Sequence, residues 1–182
     1  MFASNSIKAT TRGGYAMGEV TWPLEQNVIR GNKINHTFGM VRKNADGTPK
    51  PHQGWDFKAT VGTNAYAIAD GKIEFVKDSG AYGKQICLSF TWKDQKTRYA
   101  FYAHMNTILV SQGQQVTMNT IIGTTGKSGN AQNLPASEDH LHFEIRTKAN
   151  AGYGLSNRLS PLKIFGKCPL LAAQDGNEII TF

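Results

Sequence analysis

Cysteine is scarce in this chain of 182 residues: Cys87 and Cys168 are the only two, and no CxxC pair occurs, which argues against a cysteine zinc site. Two free thiols is the reading taken, with a disulfide as the alternative if the protein is exported. No segment reaches the apolar length of a membrane span. The opening MFASNSIKATTRGGYAMGEV holds no continuous apolar stretch, so it does not read as an ordinary secretory signal. The expectation is a trimmed exported protein or one that leaves the cell by another route. Capped helical periodicity is missing too, and so is HExxH, which excludes a thermolysin-like base. Lysine and arginine are scattered and form no run longer than the pair Arg42-Lys43, so nucleic acid is not the expected partner. The net charge of +7 still favours polyanionic surroundings such as an anionic cell wall.

What is present reads as β structure. Glycine is frequent at 19 residues and proline modest at 6, which suits short strands and tight turns. The expected organisation is an N-terminal extension over 1–33, largely loop, a β-rich main domain over 34–150 and a C-terminal extension over 151–182 that packs on it. VTWPL reads as a short edge segment. TNAYAIA and KIEFV read as a hairpin turned by Asp70-Gly71, and KQICLSFTW and RYAFYAHM as a second hairpin around KDQKT. TILV, TIIGTT and HLHFEIR follow as strands, the last after the long loop GKSGNAQNLPASED. The tail with LSPLKIF and CPLLAA is expected to form a short helix or a wrapping segment.

The chain has five histidines: His36, His52, His104, His140 and His142. Strand alternation puts His140 and His142 on one face, with Leu141, Phe143 and Ile145 on the other. His52 and Asp56, four apart in PHQGWDF, also share a face. A catalytic zinc takes three N or O ligands and keeps a fourth position for water, and two histidines with one aspartate would supply them. HxxxD or HxH alone is weak; together in a β-rich chain with few histidines they carry more. Alternation also places Tyr102 and His104 opposite Tyr99, Phe101 and Ala103. His36 reads as a loop residue. The GKS of IIGTTGKSG lacks the glycine a phosphate loop needs at 121, so nucleotide binding is rejected.

The ordered set FGMVR (38–42), HQGWDF (52–57), AIADGKIEFV (67–76), YAHM (102–105) and HLHFEI (140–145) resembles the lysostaphin-type zinc endopeptidases that cut peptidoglycan. The resemblance implies a mostly β, single-domain antiparallel fold with an open substrate groove. It implies one zinc ion held by His52, Asp56 and His142, with His104 and His140 as non-ligand catalytic histidines. Three features depart from the family pattern. Two residues, not one, separate Gly39 from Arg42, a glycine is missing from GQQVTMNTIIG, and the loop before HxH is long and lacks Gly-Pro. Asp139 and Glu144 are candidate acceptors for imidazole N–H groups, with plain solvent exposure as the alternative. Tyr82 and Tyr102 are the candidates for lining the groove.

The expected activity is hydrolysis of peptidoglycan cross-links outside the cytoplasm, at D-alanyl–diaminopimelate bonds, with oligoglycine bridges as the alternative. The same activity suits a remodelling or lytic enzyme and an antibacterial effector. An effector would imply an immunity protein that blocks the groove. The rival from another class is a non-catalytic wall-binding or regulatory module on the same scaffold.

Overall fold

A computed structural model describes residues 18–170. The strands in chain order are β1 (Gly39–Lys43), β2 (Pro49–His52), β3 (Trp55–Lys58), β4 (Asn64–Tyr66), β5 (Gly71–Asp78), β6 (Lys84–Thr91), β7 (Thr97–Ile108), β8 (Gln115–Val116), β9 (Ile121–Thr125), β10 (His140–Arg146) and β11 (Arg158–Leu159). One short helix, α1, spans Leu162–Phe165. Among the described residues no helix is long and apolar enough to cross a membrane.

β1 and β2 form a two-stranded sheet, and the remaining strands form a nine-stranded one in which every pair is antiparallel. The fold is mostly β, as expected. β10 is its axis: β7 lies along one edge, while β3 and β11 share the other. The period-2 pattern of HLHFEIR explains this position. Leu141, Phe143 and Ile145 enter the main core beside Trp55, Phe57, Ile29 and Tyr102, while His140, His142, Glu144 and Arg146 face the other way. A second apolar cluster of Phe75, Cys87, Phe101 and Ala103 supports that opposite face.

Segments flanking the sheet close the core. Trp22 stacks on Phe165 with ring centroids 4.3 Å apart, and both lie against the Trp55–Phe57 pair. VTWPL forms no strand. It does make edge-like contacts, with Thr21 N donating to the Ile68 carbonyl and Tyr66 N to that of Pro23.

Two sequence expectations are corrected. Asp70-Gly71 does not turn a hairpin: β4 pairs with β9, and β5 pairs with β6 and β8. The intervening Ala67, Ile68 and Ala69 are buried, so the chain crosses the core there instead of folding back. Asp70 accepts a bond from Met118 N at 2.7 Å. The second correction concerns the face on which His104 lies. Ile86 pairs with Tyr102 and Lys84 with Met105, so β7 carries one extra residue between those pairs. His104 sits in this bulge with φ of 60°. The bulge reverses the alternation: Tyr102 and Met105 enter the main core, and His104 joins the face of His142. The hairpin of β6 and β7 around KDQKT forms as expected. Both cysteines are free; Cys87 is buried, and that burial pushes its thiol up to about 12.

Candidate metal centre

The site is assembled by strand register. His142 on β10 pairs with Asp56 on β3 and with Ala103 on β7. The small Ala103 side chain leaves room for imidazoles above it. His52 arrives from the end of β2, and Gly54 lets β2 pass into β3 against β10. A Cβ at Gly54 would stand 2.1 Å from the Phe143 carbonyl oxygen, so only glycine fits.

His52 Nε2, Asp56 Oδ1 and His142 Nδ1 converge. The separations are 3.1 Å (His52–Asp56), 2.9 Å (His142–Asp56) and 3.3 Å (His52–His142). The outward nitrogens of the two rings are engaged. His52 Nδ1 donates to the Thr37 carbonyl at 2.8 Å, and His142 Nε2 to Glu144 Oε1 at 3.0 Å. Each neutral imidazole has one N–H, so the inward nitrogens carry lone pairs. Three acceptors facing one another repel unless a cation lies between them. Tetrahedral ligands about 2.1 Å from zinc stand ~3.4 Å apart, close to these spacings. The donor set fits the ion. Without a metal a proton takes that place: burial disfavours charge on His142, but its bonds to Asp56 and Glu144 more than offset this and raise it. Burial likewise pushes Asp56 up, and hydrogen bonds from His142, His36 and His52 reverse that, holding it well below the usual carboxylate range.

An outer layer of cations holds both carboxylates. Asp56 Oδ2 accepts from Arg42 Nη2 at 2.7 Å and lies 3.2 Å from His36 Nδ1 and 3.7 Å from Arg30 Nη2. Glu144 Oε2 accepts from Arg146 Nε at 2.6 Å and Arg158 Nε at 2.7 Å, and Tyr82 donates to Oε1 at 2.8 Å. Glu144 is fully buried, so its role is that of acceptor and not of solvated surface. Asp139 is also buried and faces Lys127 Nζ at 3.6 Å. The residue that departs from the family spacing is absorbed locally. Gly39 pairs with His52 and Arg42 with Lys50, so β1 bulges by one residue and still delivers Arg42 to Asp56.

His104 and His140 stand beside the tripod with ring centroids 5.1 Å apart, and His104 is 6.0 Å from His142. His104 Nδ1 donates to the Ser128 carbonyl at 2.9 Å. Burial, reinforced by His142 and His140, lowers His104 to about 3. Burial lowers His140 to about 4, Asp56 opposing and Arg30 assisting. Both rings are therefore neutral at neutral pH.

Of the two groove candidates, Tyr82 is half-buried at the site, 5.5 Å from the His142 ring, with its hydroxyl on Glu144 and on Gln53. Tyr102 is corrected: it is 0% exposed, packs on Phe143, and donates its hydroxyl to the Tyr66 carbonyl while accepting from Ile68 N. It cannot touch a substrate. Sequence reading missed Arg30, His36, Arg146 and Arg158. His36 was the one histidine left without a partner, and that was the available signal. Alternation in HLHFEIR marked Arg146, which shares the face of His142 and Glu144, and nothing marked Arg30 or Arg158.

Residues 50–152 match peptidase family M23, and the chain belongs to that family. Peptidoglycan DD-endopeptidase ShyB of Vibrio cholerae is 32% identical over 114 residues, covering 62% of this chain and 25% of ShyB. Murein hydrolase activator NlpD of Escherichia coli is 31% identical over 131 residues, covering 71% of this chain and 28% of NlpD. The chain thus spans about a quarter of the length of either relative. The catalytic domain of the antimicrobial peptidase lysostaphin from Staphylococcus simulans aligns with a TM-score of 0.57 at 26% identity, over 72% of this chain and 90% of that domain.

Proposed function

We propose that this chain is a zinc-dependent endopeptidase that hydrolyses peptide cross-links of bacterial peptidoglycan. The observation that carries the reading is the convergence of three lone pairs, on His52, Asp56 and His142, beside two further neutral imidazoles. A zinc ion bound there supplies Lewis-acid polarisation of the scissile carbonyl and lowers the pKa of its water to about 7. The chain's own residues do the rest. His52, Asp56 and His142 hold the ion, and Glu144 and the Thr37 carbonyl fix the two imidazole ligands. His104, with Nδ1 engaged by Ser128, turns its Nε2 lone pair to the site and accepts the proton of the attacking water. That proton passes to the amide nitrogen as it leaves. His140 faces the oxyanion as it develops.

The D-alanyl–diaminopimelate bond is the preferred target. Such a cross-link carries free carboxylates, which suit a protein of net charge +7, whereas an oligoglycine bridge is uncharged. The similarity to a DD-endopeptidase supports the same choice. If the protein is an antibacterial effector, the partner implied is an immunity protein seated in the groove. The test of that role is a co-encoded protein that binds tightly and stops cleavage.

A second reading is kept because of the similarity to NlpD: a non-catalytic activator of other wall enzymes. One experiment separates the two. Zinc-loaded protein is incubated with defined cross-linked muropeptides, with and without chelator, and the products are weighed by mass spectrometry. Chelator-sensitive cleavage at one bond supports the peptidase. Intact substrate from protein that holds no metal supports the activator.

A further inference from the structure

Arg30 lies before the stretch that matches the family, on the 3-10 turn Arg30–Asn32, yet its side chain reaches the site and is 11% exposed. Its Nη1 is 2.9 Å from His140 Nδ1 and 3.2 Å from the Glu138 carbonyl oxygen. Its Nη2 is 3.0 Å from His36 Nδ1. Its Nε lies 3.5 Å from the Glu138 carboxylate without a hydrogen bond. A guanidinium only donates. The Glu138 carbonyl oxygen, which only accepts, is also 2.9 Å from His140 Nδ1. The two neighbours therefore ask for opposite states of the same nitrogen, a lone pair or an N–H. A full positive charge against an N–H dipole is the worse conflict; a lone pair near a neutral carbonyl oxygen is the milder one.

We propose that Arg30 is a positioning residue that selects the tautomer of His140, donating to Nδ1 and so keeping the proton on Nε2. The assignment of catalytic roles rests on the peptidase reading above; the tautomer does not. His140 Nε2 is the nitrogen on the ligand side, 3.9 Å from Asp56 Oδ1. With a proton there, His140 is a hydrogen-bond donor for an oxyanion. His104, whose Nδ1–H is engaged by Ser128, presents a lone pair and is the base. The two rings are then complementary. Without Arg30, His140 Nδ1 takes the proton and donates to Glu138, and Nε2 becomes a second acceptor. The site would hold two bases and no donor.

The test uses the zinc-loaded full chain as wild type, Arg30→Ala and Arg30→Met; the methionine keeps the stem volume and guards against a folding failure. Nitrogen-15 imidazole spectra of His140 are read with kcat, KM and zinc content. Expected is an Nε2–H signal in wild type, moved to Nδ1–H in both variants, with zinc retained. Cleavage should lose kcat by about 10–100-fold, the usual cost of removing such a partner, with little change in KM. An Nδ1–H signal already present in wild type, or a His140 spectrum unchanged in both variants, overturns the proposal. Zinc-loaded wild type that cuts no muropeptide would sink the peptidase reading alone, because the spectra still decide what Arg30 does.

Discussion

His142 and Glu144, two residues apart on β10, are joined by a 3.0 Å hydrogen bond from Nε2 to Oε1. Strand alternation makes this possible, since both side chains leave the same face, and the bond fixes which nitrogen of His142 can ligate. Glu144→Gln keeps the shape but leaves an amide to satisfy an imidazole and two arginines. Zinc affinity should fall by about 10–100-fold, measured by competition with a chromogenic chelator. Unchanged affinity would mean that the ring is held by packing alone.

The same carboxylate makes the metal-free protein sensitive to acid. Burial alone would raise Glu144, but its hydrogen bond from His142 and the charges of His142 and Arg146 hold it far below the usual range. A depressed carboxylate contributes stability that is present above its unfolded value of about 4.3 and is lost as pH falls towards the native value. Asp56 is depressed as well and acts in the same window. Chemical denaturation of the metal-free chain should therefore show stability declining below about pH 4.3. Glu144→Gln should be less stable at neutral pH and show a shallower decline. An equal decline in wild type and variant would remove Glu144 from the account.

His142 and His104 should separate binding from turnover. His142→Ala deletes a donor of the tripod, so zinc and cleavage should be lost together. His104→Ala touches no ligand atom, so bound zinc should stay at one per chain while kcat drops, by about 100-fold or more for a lost general base. Metal analysis and muropeptide cleavage on the same samples check both. Wild-type turnover in His104→Ala would assign the proton transfer to another group.

The sequence disclosed what period and local spacing govern. HLHFEIR alternates cleanly, so its buried and site-facing sets were legible, and the structure brings His52, Asp56 and His142 together. Phase was lost at His104, because one extra residue on β7 between Tyr102 and Met105 shifts the alternation there, and nothing local announces a bulge. Tyr102 precedes the bulge and does lie opposite Phe101 and Ala103, but that face is the core and not the groove. Asp70-Gly71 carried a strong hairpin signal, yet tertiary pairing of β4 with β9 overrode it. Arg30 and Arg158 stayed hidden for a different reason. Arg30 acts through a contact to His140, 110 residues away, and Arg158 through Glu144, 14 residues away, whereas Arg146 shares the face of Glu144 by plain alternation and could have been read from HLHFEIR. Arginine outside a clear pattern, as at Arg30 and Arg158, looks the same in sequence whether it meets water or a buried carboxylate.

Gly54 offers the most local test of how the centre is built. It separates the strands that deliver His52 and Asp56, and a methyl group there would lie 2.1 Å from the Phe143 carbonyl oxygen and 2.9 Å from Glu144 Cγ. The first contact is with backbone of the central strand, which cannot swing aside. The second is with the carboxylate that orients His142. Gly54→Ala must therefore push β2–β3 away from β10 or break their pairing. Stability should fall by about 2 kcal/mol or more, the scale of backbone strain, which lowers Tm by ~4–8 °C in a chain of this size. Zinc should be held more weakly as the tripod spreads, so added zinc should raise Tm less in the variant than in wild type. Normal Tm with normal zinc stabilisation would show that the strands have slack at this approach, and that register alone sets the site.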